Sequence, residues 1–116
     1  MNNKKLGTDF EREVVQIFKH NGYWTHFLSP DVRGAQPFDI IAVKDDEAIA
    51  VECKTLTDSK RYFTIDRLEE NQIMAFEFWR KCGNTKALIA VKHKGQIFFI
   101  DYAKLKSEGK VLCELQ

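Results

Sequence analysis

The segment from residue 38 to residue 54 restricts the fold more than any other. Two apolar stretches, Phe38 to Val43 and Ala48 to Lys54, flank a short acidic segment. This pattern is typical of two antiparallel β-strands joined by a tight turn. Because the side chains of a strand alternate between two faces, the position of the turn decides which of them meet. We place the turn at Asp45 and Asp46, which fixes the register of the hairpin.

The predicted register brings two carboxylates together. Ile41 then faces Ala50, and the next pair on the same face is Asp39 opposite Glu52, with Cβ atoms about 5 Å apart. Lys54 shares this face with Glu52. Like charges directly opposite each other destabilise a sheet, and a hard divalent cation with oxygen ligands, such as magnesium, would relieve the repulsion. The alternative is that Lys54 simply pairs with one of the two carboxylates at a strand end.

Each of two predicted helices carries one polar residue on its apolar face. The first helix runs from Thr8 to Asn21, ends at Gly22, and places Glu11 within an arc of apolar side chains. The second runs from Asp66 to Cys82 and places Gln72 among its core residues. A buried polar group needs a partner, so we expect both residues to point to the carboxylate pair. The alternatives are a capping box between Glu11 and the first residue of its helix, and an ordinary backbone hydrogen bond for Gln72.

The other segments predict one small α/β domain, with a sheet flanked by helices, in a chain of 116 residues. We predict strands at Tyr23 to Leu28, Ala87 to Lys92, Gln96 to Tyr102 and Val111 to Leu115, a short helix at Ala103 to Glu108, a loop at Ser29 to Pro37, and a strand extension or loop at Thr55 to Phe63.

Composition restricts the compartment and the partners. No apolar stretch is long enough to span a membrane. Three scattered cysteines argue against a disulfide framework, and the histidines lack the spacing of a zinc site. We therefore expect a cytoplasmic protein. The segment from Phe78 to Ile100 contains basic residues and no acid, which suits a protein that holds phosphates, although ordinary solvated lysines would give the same pattern.

The polar residues form a recognisable spacing. Pro37-Phe38-Asp39, twelve intervening residues and Glu52-Cys53-Lys54 resemble the signature of the PD-(D/E)XK nucleases, and Glu11 and Gln72 lie on the helices where that signature is completed. The chain is most similar to the Holliday junction resolvases of the archaeal Hjc and bacterial RecU kinds. It departs from the motif in the phenylalanine between proline and Asp39, and it lacks the long central insertion of RecU.

This resemblance implies a single-domain restriction-endonuclease-like fold with a central mixed sheet, and a DNA endonuclease that cuts four-way junctions. It implies that Mg²⁺, for which Mn²⁺ can substitute, is held by Glu11, Asp39, Glu52 and the carbonyl of Cys53. Lys54 would orient or activate the attacking water, and Gln72 would support that water or Lys54. The alternatives are another nuclease of the superfamily, of the VRR-NUC, restriction or repair type, or an inactive DNA-binding module.

DNA contacts and oligomeric state are predicted less directly. Because a four-way junction has two-fold symmetry and the chain has one predicted site, we expect a homodimer. Apolar residues outside the core stripe of the second helix, at Ile73, Met74 and Phe78, and the apolar strand segment Phe98 to Ile100 offer a surface for it. The alternative is that the terminal strand, Val111 to Leu115, covers them within one chain. The residues that we expect to contact DNA flank the predicted site: Lys4, Lys5, Ser29, Arg33, Lys60 and Arg61.

Overall fold

The protein is described by a computed structural model that covers the backbone of residues 3–28 and 37–114 and the side chains of residues 9–28 and 37–114. Its helices are α1 (Asn3–His20), α2 (Glu70–Lys81) and α3 (Tyr102–Glu108). Its strands are β1 (Trp24–Phe27), β2 (Ile40–Lys44), β3 (Glu47–Thr55), β4 (Tyr62–Thr64), β5 (Lys86–His93), β6 (Gln96–Asp101) and β7 (Lys110–Leu112).

Five of the strands form a mixed sheet in the order β1-β2-β3-β5-β6. The pairing of β3 with β5 is parallel, and the other pairings are antiparallel. The parallel pair requires a crossover, which includes α2. The prediction of an α/β fold with a central mixed sheet is confirmed. Among the described helices, none is long and apolar enough to cross a membrane.

The hairpin between β2 and β3 has the predicted register, with Ile41 opposite Ala50. Its turn consists of Asp45 and Asp46, whose φ angles of 51° and 64° are both positive. Two consecutive residues with positive φ form the turn type whose twist matches that of antiparallel strands. The turn therefore sets the register that ends with Ile40 opposite Val51, directly beside Asp39 and Glu52.

Apolar side chains cover both faces of the sheet. One core lies under α1, where Phe10, Val14 and Phe18 pack on Ile40 and Val51. The other core lies under α2 and α3, and its large members include Phe63, Phe76 and Tyr102. Since α1 and α2 lie on opposite faces, a side chain of the sheet meets one helix or the other according to its position in the strand.

Both long helices begin at residues that differ from the prediction. α1 begins at Asn3, so Thr8 lies inside the helix and the predicted capping box between Thr8 and Glu11 is wrong. α2 begins at Glu70 instead of Asp66, because a short 3₁₀ turn comes first and Leu68 is extended. The capping box occurs at α2, where Glu69 and Gln72 each bond the backbone of the other.

A second sheet of two strands, formed by β4 and β7, was not predicted as a pair. Phe63 of β4 faces Val111 of β7 and is fully buried. The predicted strand from Val111 to Leu115 overlaps with β7 at residues 111 and 112. It pairs with β4 and is not a strand of the central sheet.

Candidate active site

Asp39 lies immediately before β2 and is held to β3 by two hydrogen bonds. Its N–H donates to the carbonyl of Val51 (3.1 Å), the residue paired with Ile40 at the end of the hairpin ladder. Its carboxylate oxygen Oδ2 accepts a hydrogen bond from the backbone N–H of Cys53 (2.7 Å). The carboxylate is therefore fixed against the backbone of the strand that carries Glu52.

Glu52 is the most deeply placed acid of the described chain. It lies within β3 and is only 5% exposed. Gln72 approaches it from the start of α2, and its Nε2 donates to Glu52 Oε1 (3.2 Å). The Oε1 of Gln72 accepts from the backbone N–H of Glu69 (2.9 Å). The two predicted roles of Gln72, a backbone hydrogen bond and a contact with the acidic pair, are therefore both present.

Glu11 completes a row of three neighbouring carboxyl groups. Burial, the charge of Asp39 and a hydrogen bond with Asp39 raise the pKa of Glu11 to about 7. Burial raises the pKa of Glu52 still further, with additional contributions from a hydrogen bond and repulsion by Asp39. Lys54 opposes this shift, since its charge lowers the pKa of Glu52. The structure therefore brings together the carboxylates that were predicted, with the lysine close enough to act on them electrostatically.

The donor set fits a hard divalent cation. Carboxylate oxygens are the ligands that Mg²⁺ prefers, and the three acids repel one another unless they are protonated or bind a cation. The described side chains form no ready-made group of three acidic, histidine or cysteine ligands. Mg²⁺ commonly uses one or two carboxylates and keeps several waters. The backbone carbonyl of Cys53, predicted as a ligand, belongs to the residue that already binds Asp39 through its N–H.

Cys53 itself offers no thiolate ligand. Its side chain packs partly against the core beneath α1, and so lies on the opposite face of β3 from Glu52. Burial raises the pKa of the thiol well above its usual range, and the charges of Asp39, Glu11 and Glu52 add to the effect. The thiol therefore stays protonated, as expected of a structural cysteine.

The predicted DNA-binding residues are described to different extents. Lys4 and Lys5 lie in the first turn of α1, one to two turns before Glu11, and their side chains are outside the described residues. Ser29 and Arg33 also lie outside the described residues. Lys60 is exposed in the loop between β3 and β4. Arg61 is exposed in the same loop, and its guanidinium pairs with Glu114 (2.8 Å).

Two residues near the end of β3 were missed by sequence reasoning. Arg67 Nη2 donates to the carbonyl of Thr55 (2.8 Å), directly after Lys54. The buried His93 makes a hydrogen bond through Nδ1 to the carbonyl of Leu56 (3.1 Å). Both contacts hold the backbone that follows the lysine. Neither could be read from the sequence, because the two side chains belong to distant segments without a motif.

Comparisons with known proteins agree on one family. A family model described as "Archaeal holliday junction resolvase (hjc)" matches residues 2–115. The crossover junction endodeoxyribonuclease Hjc of Methanocaldococcus jannaschii is 29% identical over 106 residues, which cover 91% of this chain and 73% of that protein. The solved structure of Archaeoglobus fulgidus Hjc, described as a Holliday junction resolvase, is similar with a TM-score of 0.64 and 19% identity, covering 91% of this chain and 85% of that one.

Proposed function

This chain belongs to the archaeal Holliday junction resolvase (Hjc) family, and we propose that it cuts four-way DNA junctions by metal-dependent hydrolysis of phosphodiester bonds. Membership of this family confirms the predicted nuclease superfamily and the predicted class of endodeoxyribonuclease. The catalytic residues, the choice of magnesium, the homodimer and the cytoplasmic location remain predictions. The catalytic residues that we propose are Glu11, Asp39, Glu52, Lys54 and Gln72.

One observation carries the proposal: Glu52 is buried beside Asp39 although the two carboxylates repel each other. Burying an acid costs stability unless it is neutralised, paired or bound to a metal. Lys54 offsets only part of this cost, since the pKa of Glu52 stays raised in its presence. A row of acids of this kind is expected where a cation is to be held.

Each residue would have a separate role in such a site. Asp39 is oriented by the N–H of Cys53, and Glu52 is oriented by the amide of Gln72. A bound Mg²⁺ would lower the pKa of a water molecule and neutralise charge on the phosphate. Lys54 shares the face of Glu52, from which its ammonium would stabilise the negative charge that develops on the phosphate and hold the attacking water.

The substrate contacts that we propose are electrostatic. Lys4 and Lys5 precede Glu11 on α1, and Lys60 and Arg61 follow β3, so all four flank the acidic row in sequence. For Ser29 and Arg33 the same expectation rests on their position before Asp39. Phosphate contacts release counterions, so binding should weaken as salt rises, and Lys60→Ala should reduce this salt dependence by about one charge.

We propose a homodimer because paired cuts in a two-fold symmetric junction require two sites. Met74 and Phe78, one turn apart on α2, are 64% and 69% exposed. They border a cleft of about 450 Å³ that Pro37, Phe38 and Trp79 also line. The double variant Met74→Lys, Phe78→Lys should sediment as a monomer at micromolar concentration and lose paired cutting, whereas Tyr62→Lys, which alters an exposed aromatic residue of β4, should not.

Cleavage of defined DNA tests the function. Labelled four-way junction, duplex, flap and single-stranded DNA are incubated with the protein in Mg²⁺, Mn²⁺ or EDTA. We expect junction cleavage in either metal and none in EDTA, and a loss of about 100-fold or more for Glu52→Gln and Lys54→Ala. Glu47→Gln is the matched control, since Glu47 lies on the same strand and pairs with Lys86 at an exposed position.

Several outcomes would contradict the proposal. Equal cleavage rates for Lys54→Ala and the wild type would show that the active site is not the one assigned. Cleavage that prefers flap or duplex over the junction would indicate another nuclease of the superfamily. Metal binding without cleavage of any substrate would indicate an inactive DNA-binding module.

A further inference from the structure

Trp24 and His26 form an exposed aromatic pair on β1, at one edge of the central sheet. Trp24 is 62% exposed, and His26 is exposed as well. Their ring centroids are 6.2 Å apart and their planes differ by only 7°. Tryptophan is usually buried over most of its surface, so a flat exposed pair of this kind indicates a binding surface more than a part of the core.

The pair lies on the same face of the sheet as Glu52. His26 is the partner of Ile41, and Trp24 is the partner of Val43. Residues directly opposite in an antiparallel pair share a face; Ile41 is opposite Ala50, and Ala50 shares its face with Glu52 two positions along β3. The intervening Phe27 packs on the other face, in the core beneath α1.

The distance from the acidic row suits a DNA strand that passes through the site. Two residues of a strand span about 7 Å. Measured along the strand direction, His26 therefore lies about 7 Å from Asp39, and Trp24 about 14 Å. A total of about 14 Å corresponds to about four nucleotides of a duplex strand. A strand cut at the acidic row would therefore bring a base near Trp24 a few nucleotides away.

We propose that Trp24, with His26 beside it, stacks on an unpaired nucleobase of the DNA substrate a few nucleotides from the cut phosphate. This inference rests on the proposed nuclease function. It adds a contact that recognises an unpaired base, whereas the proposed lysine and arginine contacts recognise the charge of the phosphates. Stacking on an aromatic ring tolerates any base, because every base has a flat π-face. A base within an intact duplex cannot offer that face, so the pair would favour DNA that is branched or distorted.

Binding measured in EDTA tests this without cleavage. The probes are a duplex with a bulge of unpaired thymines and the same duplex fully paired. Trp24→Leu keeps an apolar side chain and removes the flat ring; it should weaken binding to the bulged duplex by about 5- to 150-fold and leave the paired duplex within about 2-fold. Trp24→Phe keeps a ring and should retain most of the affinity. Phe99→Leu is the matched control, since Phe99 is 42% exposed on the opposite edge strand and packs against Phe18 beneath α1.

A second readout uses the fluorescence of the wild-type protein, with Trp24→Phe as its control. Stacking should quench the fluorescence of Trp24 when the wild-type protein binds bulged DNA, and Trp24→Phe should lose that quench while Trp79 remains. Unchanged affinity of Trp24→Leu for bulged DNA would overturn the inference, and so would an equal loss for paired and bulged DNA. A change in sedimenting mass with unchanged DNA affinity would instead make the pair a protein interface. If the wild type cuts junctions while any of these results holds, the proposed function stands and only this inference falls.

Discussion

The side-chain amide of Gln72 links the first turn of α2 to the buried carboxylate of Glu52. Its Nε2 donates to Glu52 Oε1 (3.2 Å), and its Oε1 accepts from the N–H of Glu69 (2.9 Å). Because both ends of the amide are engaged, the orientation of the amide is fixed by the backbone of the helix. The position of α2 against the sheet is therefore coupled to the geometry of the acidic row.

This coupling predicts a defect that exceeds the loss of stability. Gln72→Ala should lower metal affinity or single-turnover cleavage of the junction by about 10- to 100-fold, as is usual for a residue that orients a metal ligand. It should lower the free energy of unfolding by only about 1 kcal/mol, through the lost capping box. Asn71→Ala, at an exposed neighbouring position, should change neither. If calorimetry and cleavage show the same result for both variants, Gln72 has no role in positioning Glu52.

Glu52→Gln should make the metal-free protein more stable at neutral pH. The amide has nearly the same shape and carries no charge, whereas burial and the neighbouring Asp39 raise the pKa of Glu52 and make its charged form costly. Removing this cost should increase the free energy of unfolding by on the order of 1–3 kcal/mol. Denaturant unfolding in EDTA measures it, with Glu47→Gln as the control. A large loss of stability would mean that Glu52 serves to hold the fold rather than a cation.

The stability of the metal-free protein should fall as pH rises from about 4.5 to 7. Burial and the neighbouring Asp39 raise the pKa of Glu11 from 4.5, the ordinary value of a glutamate, to about 7 in the folded protein. The folded state thus binds more protons in this range, and proton loss favours unfolding. Thermal melts in EDTA between pH 5 and about 8 would show the decline, and Glu11→Gln should flatten it. Because Mg²⁺ competes with these protons, its affinity should rise over the same range, and calorimetry in buffers of different ionisation enthalpy should detect proton release.

The contribution of Glu77 to the free energy of unfolding should depend on pH in the opposite direction from that of Glu11. The hydroxyl of Tyr102 donates to Glu77 Oε2 (2.6 Å), and with Lys106 it lowers the pKa of Glu77. The stabilisation by the Glu77 carboxylate is therefore present above the pKa that Glu77 has in the unfolded chain. It is lost as pH falls through the pKa that Glu77 has in the folded protein. Glu77→Gln should cost about 0.5–1 kcal/mol at pH 7, since the carboxylate is partly exposed. Unfolding experiments that find the same cost in strong acid would contradict this origin.

The clustering of the three acids and Gln72 was predictable from the sequence because short-range rules govern most of it. The turn at Asp45 and Asp46 sets the register, and the register pairs Ile40 with Val51, the residues that directly follow Asp39 and precede Glu52. Helical periodicity was enough to direct Glu11 and Gln72 to the sheet. These rules need no knowledge of distant contacts, which explains why the convergence of the acids was anticipated while its precise hydrogen bonds were not.

The parts that were missed depend on distant pairing. β4 and β7 have three residues each and gain their stability from each other; a strand was predicted near β7, but its pairing with β4 could not be read from the sequence. The face of β1 could not be read either, because Trp24 and Phe27 are apolar and lie on opposite faces. Only the observed pairing with β2 reveals that Trp24 is exposed on the face of the sheet that carries Glu52.

The turn of the first hairpin should tolerate, and gain from, a glycine. Asp46 has a φ of 64°, in the left-handed region where glycine is free of the steric cost that other residues bear. Asp46→Gly should raise the free energy of unfolding by about 0.5–1 kcal/mol and improve the match to the preferred Asp-Gly turn. It should leave junction cleavage unchanged, because the register that pairs Ile40 with Val51, beside Asp39 and Glu52, is preserved. Gly95→Ala is the reciprocal control: Gly95 has a φ of 76° in the turn between β5 and β6, so the added side chain should destabilise the protein by about 1 kcal/mol or more. A glycine at residue 46 that destabilises the protein or alters the cleavage rate would show that the acidic turn does more than set the register.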